Sequence, residues 1–266
     1  MGFIFSFFAA AVSSIAVLLA VGSARHMPEQ VSAGESRLRM FVAGTDAPTV
    51  VFDCFGAANL ELWNRVQPEV AKFTRTVSYD HGGYWGSEPG PKPRDARQIA
   101  RELRAALRNA GIEPPYVLAG YSLGGPYVRV FAGLYPDEVA GLILIDPTQE
   151  KFMEWLAQAF PEFAAVSARH LDAQDEVASS WASLKLAEES RLPAVPMTLI
   201  TGFKPQGPLS RYALPRWLAE HQAWLSAYPH ARHIVTTNSG HDVVLREPAL
   251  VVEAIRGVVG KARLAR

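Results

Sequence analysis

The 266-residue chain has one cysteine, Cys54, so it can neither close an intramolecular disulfide nor build a metal site from thiolates. It lacks a surplus of either charge. Its 26 Lys and Arg balance 26 Asp and Glu, which argues against a nucleic-acid partner, because polyanion binding draws on an excess of basic residues. Repeats and low-complexity tracts are missing, and 20 Gly and 19 Pro are too few for a collagen-like composition. What is present is apolar mass. Hydrophobic residues make up 49% of the chain and aromatics 10%, which excludes a disordered polypeptide and suits one large α/β domain or two small ones.

A more local absence is at the start, where residues 2–24 carry no charged side chain. As a helix rising about 1.5 Å per residue, this stretch could cross roughly 30 Å of hydrocarbon. Residues 1–26 are therefore expected to be an uncleaved single-pass membrane anchor, with Arg25 as the first basic residue holding the following domain on the cytoplasmic side. The alternative is a secretory signal, whose cleavage would leave a secreted or periplasmic protein. Gly22 and Ala24 supply the small residues of a cleavage site, but no Lys or Arg precedes the apolar run.

A polar linker over 27–36 leads into a domain over 37–266 in which short apolar runs alternate with helical patterns. That alternation is the signature of a mostly parallel, twisted sheet with helices on both faces. The expected strands are Arg37–Val42, Thr49–Cys54, Thr76–Tyr79, Tyr116–Ala119, Leu142–Ile145, Met197–Thr201 and His233–Thr236. The expected helices include Arg94–Asn109, Leu123–Leu134, Pro215–Tyr228 and Pro248–Ala262. In the first helix, Ile99, Leu103 and Leu107 share an apolar face, while Arg94, Arg97, Arg101, Arg104 and Arg108 read as a solvated one. Residues 147–196 interrupt the alternation with two helix-like stretches and no strand, which reads as a helical cap over one end of the sheet. Its Phe152, Trp155, Leu156, Phe160, Phe163 and Trp181 suggest an apolar roof.

The strongest local signal is Tyr116-Val117-Leu118-Ala119-Gly120-Tyr121-Ser122-Leu123-Gly124-Gly125, an apolar strand, then G-x-S-x-G, then the start of a helix. In that context Ser122 occupies a sharp strand-to-helix turn with its hydroxyl projecting at the carboxyl edge of the sheet. A serine hydroxyl needs a base. His241, in Asn238-Ser239-Gly240-His241-Asp242 after the last strand, opens at the same edge; His26, His81, His170, His221, His230 and His233 lack that placement and read as surface or packing residues. The imidazole in turn needs a carboxylate to fix its tautomer. No Asp or Glu occurs between Glu189 and Glu220, so the strand end at Thr201 offers none, whereas Asp146 ends the strand Leu142–Ile145. Asp146 is therefore the expected acid, in the order Ser122, Asp146, His241. For the developing oxyanion, the amide of Leu123 is one expected donor. The second comes from Phe55-Gly56-Ala57-Ala58, with Gly56 preferred over Phe55. Cys54 reads as a small buried hydrophobe.

These residues resemble the α/β-hydrolase superfamily over roughly 37–260, and within it a bacterial branch of small serine hydrolases with an N-terminal membrane segment. Pro48-Thr49-Val50-Val51, Ser78-Tyr79-Asp80, Tyr135-Pro136-Asp137-Glu138-Val139-Ala140-Gly141-Leu142 and Ile145-Asp146-Pro147 carry the resemblance. Two loops depart from it. Phe55-Gly56-Ala57 stands where His-Gly or Gly-x-Gly is usual, and His81-Gly82-Gly83-Tyr84-Trp85-Gly86 stands where Arg-x-Gly-x-Gly is usual. The resemblance implies an esterase-like serine hydrolase of small-molecule ester substrates that requires no cofactor and no metal. Other chemistries served by the same residues are a peptidase, lactonase, thioesterase or cofactor-free haloperoxidase; a non-catalytic binding protein on this fold is the remaining alternative.

Overall fold

The computed structural model describes residues 28–56, 58–161, 176 and 178–265 of the chain. The expected anchor or signal over 1–26 lies outside the described residues. Among the described residues no helix is long and apolar enough to cross a membrane.

Strand β1 (Glu29–Ser32) comes first, followed by β2 (Arg37–Ala43), β3 (Thr49–Asp53) and β4 (Thr76–Tyr79). Helix α1 (Ala96–Asn109) leads to β5 (Tyr116–Tyr121), then α2 (Gly124–Leu134) and β6 (Val139–Ile145). Helices α3 (Glu150–Ala159) and α4 (Ser180–Glu189) fall between β6 and β7 (Met197–Gly202). Helix α5 (Pro208–Leu225), β8 (Arg232–Thr236) and α6 (Pro248–Leu264) complete the order. The stretch read as a linker therefore contributes an edge strand. β1 pairs antiparallel with β2 from Glu29↔Met40 to Ser32↔Arg37, and short edge strands of this kind carry little apolar pattern to read.

The eight strands run in the order β1-β2-β4-β3-β5-β6-β7-β8. β2 lies antiparallel to β4, and every pair from β4/β3 to β7/β8 is parallel. Buried on both faces, β3, β5 and β6 read as continuous apolar runs, and their side chains alternate between two cores. Val50, Phe52, Val117, Ala119, Ile143 and Ile145 face α6, whose Val251, Ile255 and Val258 pack against them. Val51, Leu118, Leu142 and Leu144 face the opposite way, toward Leu103 and Leu107 of α1 and Phe131 of α2. A one-residue slip would exchange the two sets, so the register is strongly fixed.

Helix α1 starts where Asp95 accepts hydrogen bonds from the backbone amides of Arg97 and Gln98, a side-chain cap. The arginines from Arg94 to Arg108 do not form one solvated face. Arg97, Arg101 and Arg108 are exposed, but Arg94 is buried in a two-pronged pair with Glu102, at 2.5 and 2.8 Å, and Arg104 and Arg108 both reach Glu138. Planar guanidinium groups match carboxylates in that way, which periodicity alone does not foresee.

The insert between β6 and β7 is tied down by a buried charge pair. Arg129 of α2 donates to Glu150 at the start of α3 at 2.7 Å and to the Ala187 carbonyl of α4 at 2.8 Å. Leu184 and Ala187 of α4 pack against Ile99, Leu123, Tyr127 and Val130. Arg129→Ala would leave Glu150 buried without its partner, a loss of about 3–5 kcal/mol. Urea denaturation of the variant is expected to show that loss; a midpoint equal to the parent's would refute the role of this pair.

Candidate active site

Parallel strands that end in register bring residues far apart in sequence to one edge. β5, β6 and β8 end at Tyr121, Ile145 and Thr236, and the turn or loop after each strand contributes to one cluster. After β5, Ser122 has φ of 56°, a left-handed conformation that costs a non-glycine residue about 1–3 kcal/mol. The strain is held by its surroundings. Ser122 donates its amide to Ile145, and its carbonyl accepts from the amides of Gly125 and Thr148. Gly120 and Gly124 are required sterically, since a Cβ on either would come within 2.4 Å of the Gly124 or the Asp53 carbonyl oxygen.

Asp146 follows β6, also with a positive φ, 42°. Its amide donates to Ile200, and its Oδ1 accepts from the Gly202 amide and from Trp217 Nε1, each at 2.9 Å. Oδ2 lies 2.7 Å from His241 Nδ1, and His241 Nε2 lies 3.0 Å from Ser122 Oγ. An ionised carboxylate only accepts, so Nδ1 carries the proton and Nε2 presents its lone pair to the serine hydroxyl. Burial would raise the Asp146 carboxyl, but the hydrogen bond and charge of His241, with help from Trp217, hold it below the usual carboxylate range.

The loop bearing His241 is fixed from several sides. Glu247 accepts from the hydroxyls of Thr236 and Ser239 and from the side-chain Nδ2 of Asn238. The Tyr121 hydroxyl donates to the His241 carbonyl at 2.6 Å, and its ring stacks on the imidazole with centroids 5.1 Å apart. Beneath Asp146 lies a second histidine. His221 Nε2 is 2.9 Å from the Pro147 carbonyl, and its Nδ1 is 2.7 Å from Thr201 Oγ1, which is 2.8 Å from His233 Nε2. Burial first, against the opposing charge of Asp146, lowers His221 to about 4, so it is neutral near pH 7.

The three residues expected to act together are thus brought together. Leu123 is the cap residue just before α2, at a helix start where the first amides have no partner within the helix. Gly56 lies in the loop after β3, next to the elbow, and its amide donates to Glu176 Oε1 at 2.8 Å. That contact was not legible in the sequence. Nor were Trp217, His221 and His81, which are buried and hydrogen-bonded; tertiary contacts alone give them these partners. His81 Nδ1 lies 2.9 Å from Glu176 and Nε2 lies 3.2 Å from Asp53, while Tyr79 donates to Asp53 at 2.6 Å. Burial would lower the His81 pKa, but the two carboxylates raise it to about 10. Cys54 is buried, and burial pushes its thiol well up.

Apolar side chains flank the cluster. Phe152 of α3 packs with Ala213, Leu214 and Trp217 of α5, with Trp155, Leu156 and Phe203 alongside. Trp181 is instead 44% exposed, and Phe163 lies outside the described residues. Among the described residues no group of three or more His, Cys, Asp or Glu could hold a metal ion.

A family model described as alpha/beta hydrolase fold matches residues 50–194. Among curated proteins, an AB hydrolase superfamily protein of Gibberella zeae is 30% identical over 108 residues, covering 39% of this chain and 34% of its own. An uncharacterised protein of Bacillus subtilis, YqjL, is 26% identical over 104 residues, covering 39% of this chain and 41% of its own. The chain spans less than half the length of such relatives. Among solved structures, a thermophilic esterase from Thermogutta terrifontis superposes with a TM-score of 0.65 at 21% identity, over 89% of this chain and 99% of that one. The enol-lactonase from Burkholderia xenovorans LB400 gives 0.62 at 14% identity, over 87% and 100%. At these identities the likeness is one of fold.

The two buried histidines bend stability in opposite directions. Between pH 6.5 and about 4 the unfolded chain protonates residue 221 while the native state does not, so acidification destabilises. Between pH 6.5 and about 10 the native state keeps the proton on His81 that the unfolded chain releases, so alkalinisation destabilises. Calorimetric melting at stepped pH is expected to show His221→Gln flattening the acid side and His81→Gln the alkaline side. Parent and variant curves that stay parallel across both windows would refute this assignment.

Proposed function

Since this chain belongs to the α/β-hydrolase fold family, we propose that it is a serine hydrolase cleaving ester-type bonds of small apolar substrates. The observation that carries this reading is the unbroken relay from Ser122 Oγ to His241 Nε2, at 3.0 Å, and from His241 Nδ1 to Asp146 Oδ2, at 2.7 Å. Ser122 is the nucleophile, His241 the base and Asp146 the residue that orients and stabilises the imidazolium. As Ser122 Oγ bonds to the carbonyl carbon, its proton passes to His241 Nε2 and the carbonyl electrons move onto oxygen. The amides of Leu123 and Gly56 are the proposed donors to that oxyanion. Collapse breaks the bond to the alkoxide, which leaves with the proton from His241, and the acyl group stays on Ser122. Water then repeats the sequence, giving up a proton to His241 as it attacks, and the acid is released.

In this reading the insert 147–196 caps the site, and the wall formed by Phe152, Leu214 and Trp217 favours apolar acyl or alcohol groups. The domain over 37–266 carries the reaction. The uncharged run 2–24 holds it at a membrane, and extraction with alkaline carbonate tests that attachment.

Hydrolysis of short p-nitrophenyl esters by the purified full chain tests the chemistry. Ser122→Ala is expected to lower kcat/KM by about 10⁴-fold or more, and Asp146→Asn by about 10³–10⁴-fold, since the amide no longer selects the reactive tautomer. Both variants are expected to keep the parent's circular dichroism. Unchanged turnover in folded Ser122→Ala would overturn the mechanism.

A further inference from the structure

One buried ionic cluster has no part in the relay. It lies beside the elbow, where the end of β3 abuts the start of α2: a Cβ on Gly124 would come within 2.4 Å of the Asp53 carbonyl oxygen. Phe55 and Leu123 pack in one apolar group, and the ring of Tyr127 from α2 is tilted against His81 with centroids 5.5 Å apart. Both nitrogens of His81 face carboxylates, Asp53 on one side and Glu176 on the other. Two hydrogen bonds to two carboxylates require two N–H donors, so this geometry selects the imidazolium. Asp53, further tied by Tyr79, ends a strand and is a fixed counter-charge.

Glu176 is held differently. Its side chain is fully buried, with Oε2 on the His81 cation and Oε1 on the Gly56 amide, 2.8 Å away. The carboxylate covers the Cα of Gly56 so closely that a Cβ there would stand 2.5 Å from Oε2 and 2.8 Å from the ring of Tyr84. The amide that holds Glu176 is the one assigned above to the substrate's developing oxyanion. A carboxylate and an oxyanion cannot share that N–H in a water-poor site, because two like charges at about 3 Å repel strongly. Either the substrate oxygen or Glu176 holds it.

We propose that the Gly56 amide and the His81 imidazolium form an anion site whose resident ligand is the carboxylate of Glu176, and that this carboxylate competes with the substrate for it. The inference rests on the reading of Ser122 as nucleophile and Gly56 as oxyanion donor. When Glu176 withdraws, Nδ1–H of His81 is freed within one carboxylate's width of the Gly56 amide. The oxyanion then meets a full positive charge in addition to backbone dipoles. Small carboxylates are the ligand class that would enter in its place.

The test is labelling of Ser122 by a fluorophosphonate in the full chain, with Ser122→Ala as the blank. Glu176→Ala and Glu176→Gln are expected to label about 10-fold faster or more, within the range that one oxyanion donor controls. Acetate is expected to slow labelling of Glu176→Ala and leave the parent unaffected at the same concentration. A structure of the phosphonylated parent needs no variant to fold, and is expected to show a phosphonyl oxygen on the Gly56 amide with Glu176 displaced. Variants that label at the parental rate, acetate acting equally on both, or a phosphonylated parent with Glu176 still on Gly56 would each overturn the proposal while leaving the hydrolase reading intact. No labelling of parent or variants would remove both.

Discussion

The carboxylate of Asp146 is the point on which the arrangement depends. One oxygen is fixed by the Gly202 amide of the neighbouring strand and by the Trp217 indole; the other meets His241. Four segments of the chain therefore agree on the position of a single side chain. Preorganisation of this kind matters because a dipole already aimed at the reacting groups need not reorganise during reaction. Its foundation is the parallel register of β5, β6 and β7, which sets Ser122 and Asp146 immediately beyond adjacent strand ends.

Two residues in left-handed conformations mark the same edge. Ser122 and Asp146 each sit at the first position after a buried strand, where the chain has to reverse sharply. The Ser122 carbonyl accepts the amide of Thr148 and its own amide reaches Ile145, so the two turns brace each other. The sheet supplies rigidity, the turns supply direction, and apolar side chains from α3 and α5 reduce the water around them.

Much of this was legible in the sequence because it is written locally. Buried strands appear as apolar runs, the turn at Ser122 as the glycines around it, and the placement of Asp146 beside His241 as the carboxylate left once the next strand end offered none. Strand limits shifted by a few residues, whereas α5 begins about two turns before the expected Pro215, at Pro208, and carries that proline within it. What could not be read were partners chosen by tertiary packing. No spacing rule links Gly56 to Glu176, 120 positions away, or Trp217 to Asp146, 71 away. Arg94 looked like one more surface arginine, and only the fold reveals that Glu102 waits for it inside.

The contact between Gly202 and Gly240 also constrains how such a site could be rebuilt. A Cβ on Gly202 would stand 2.0 Å from the Gly240 carbonyl oxygen, directly before His241 in the chain. Grafting the acid onto residue 202 would wedge this backbone apart and carry the imidazole with it. The seat of the carboxylate on the sixth strand is thus locked by a neighbour with no side chain at all, and any evolutionary migration of that acid to the seventh would have to reshape the histidine loop first.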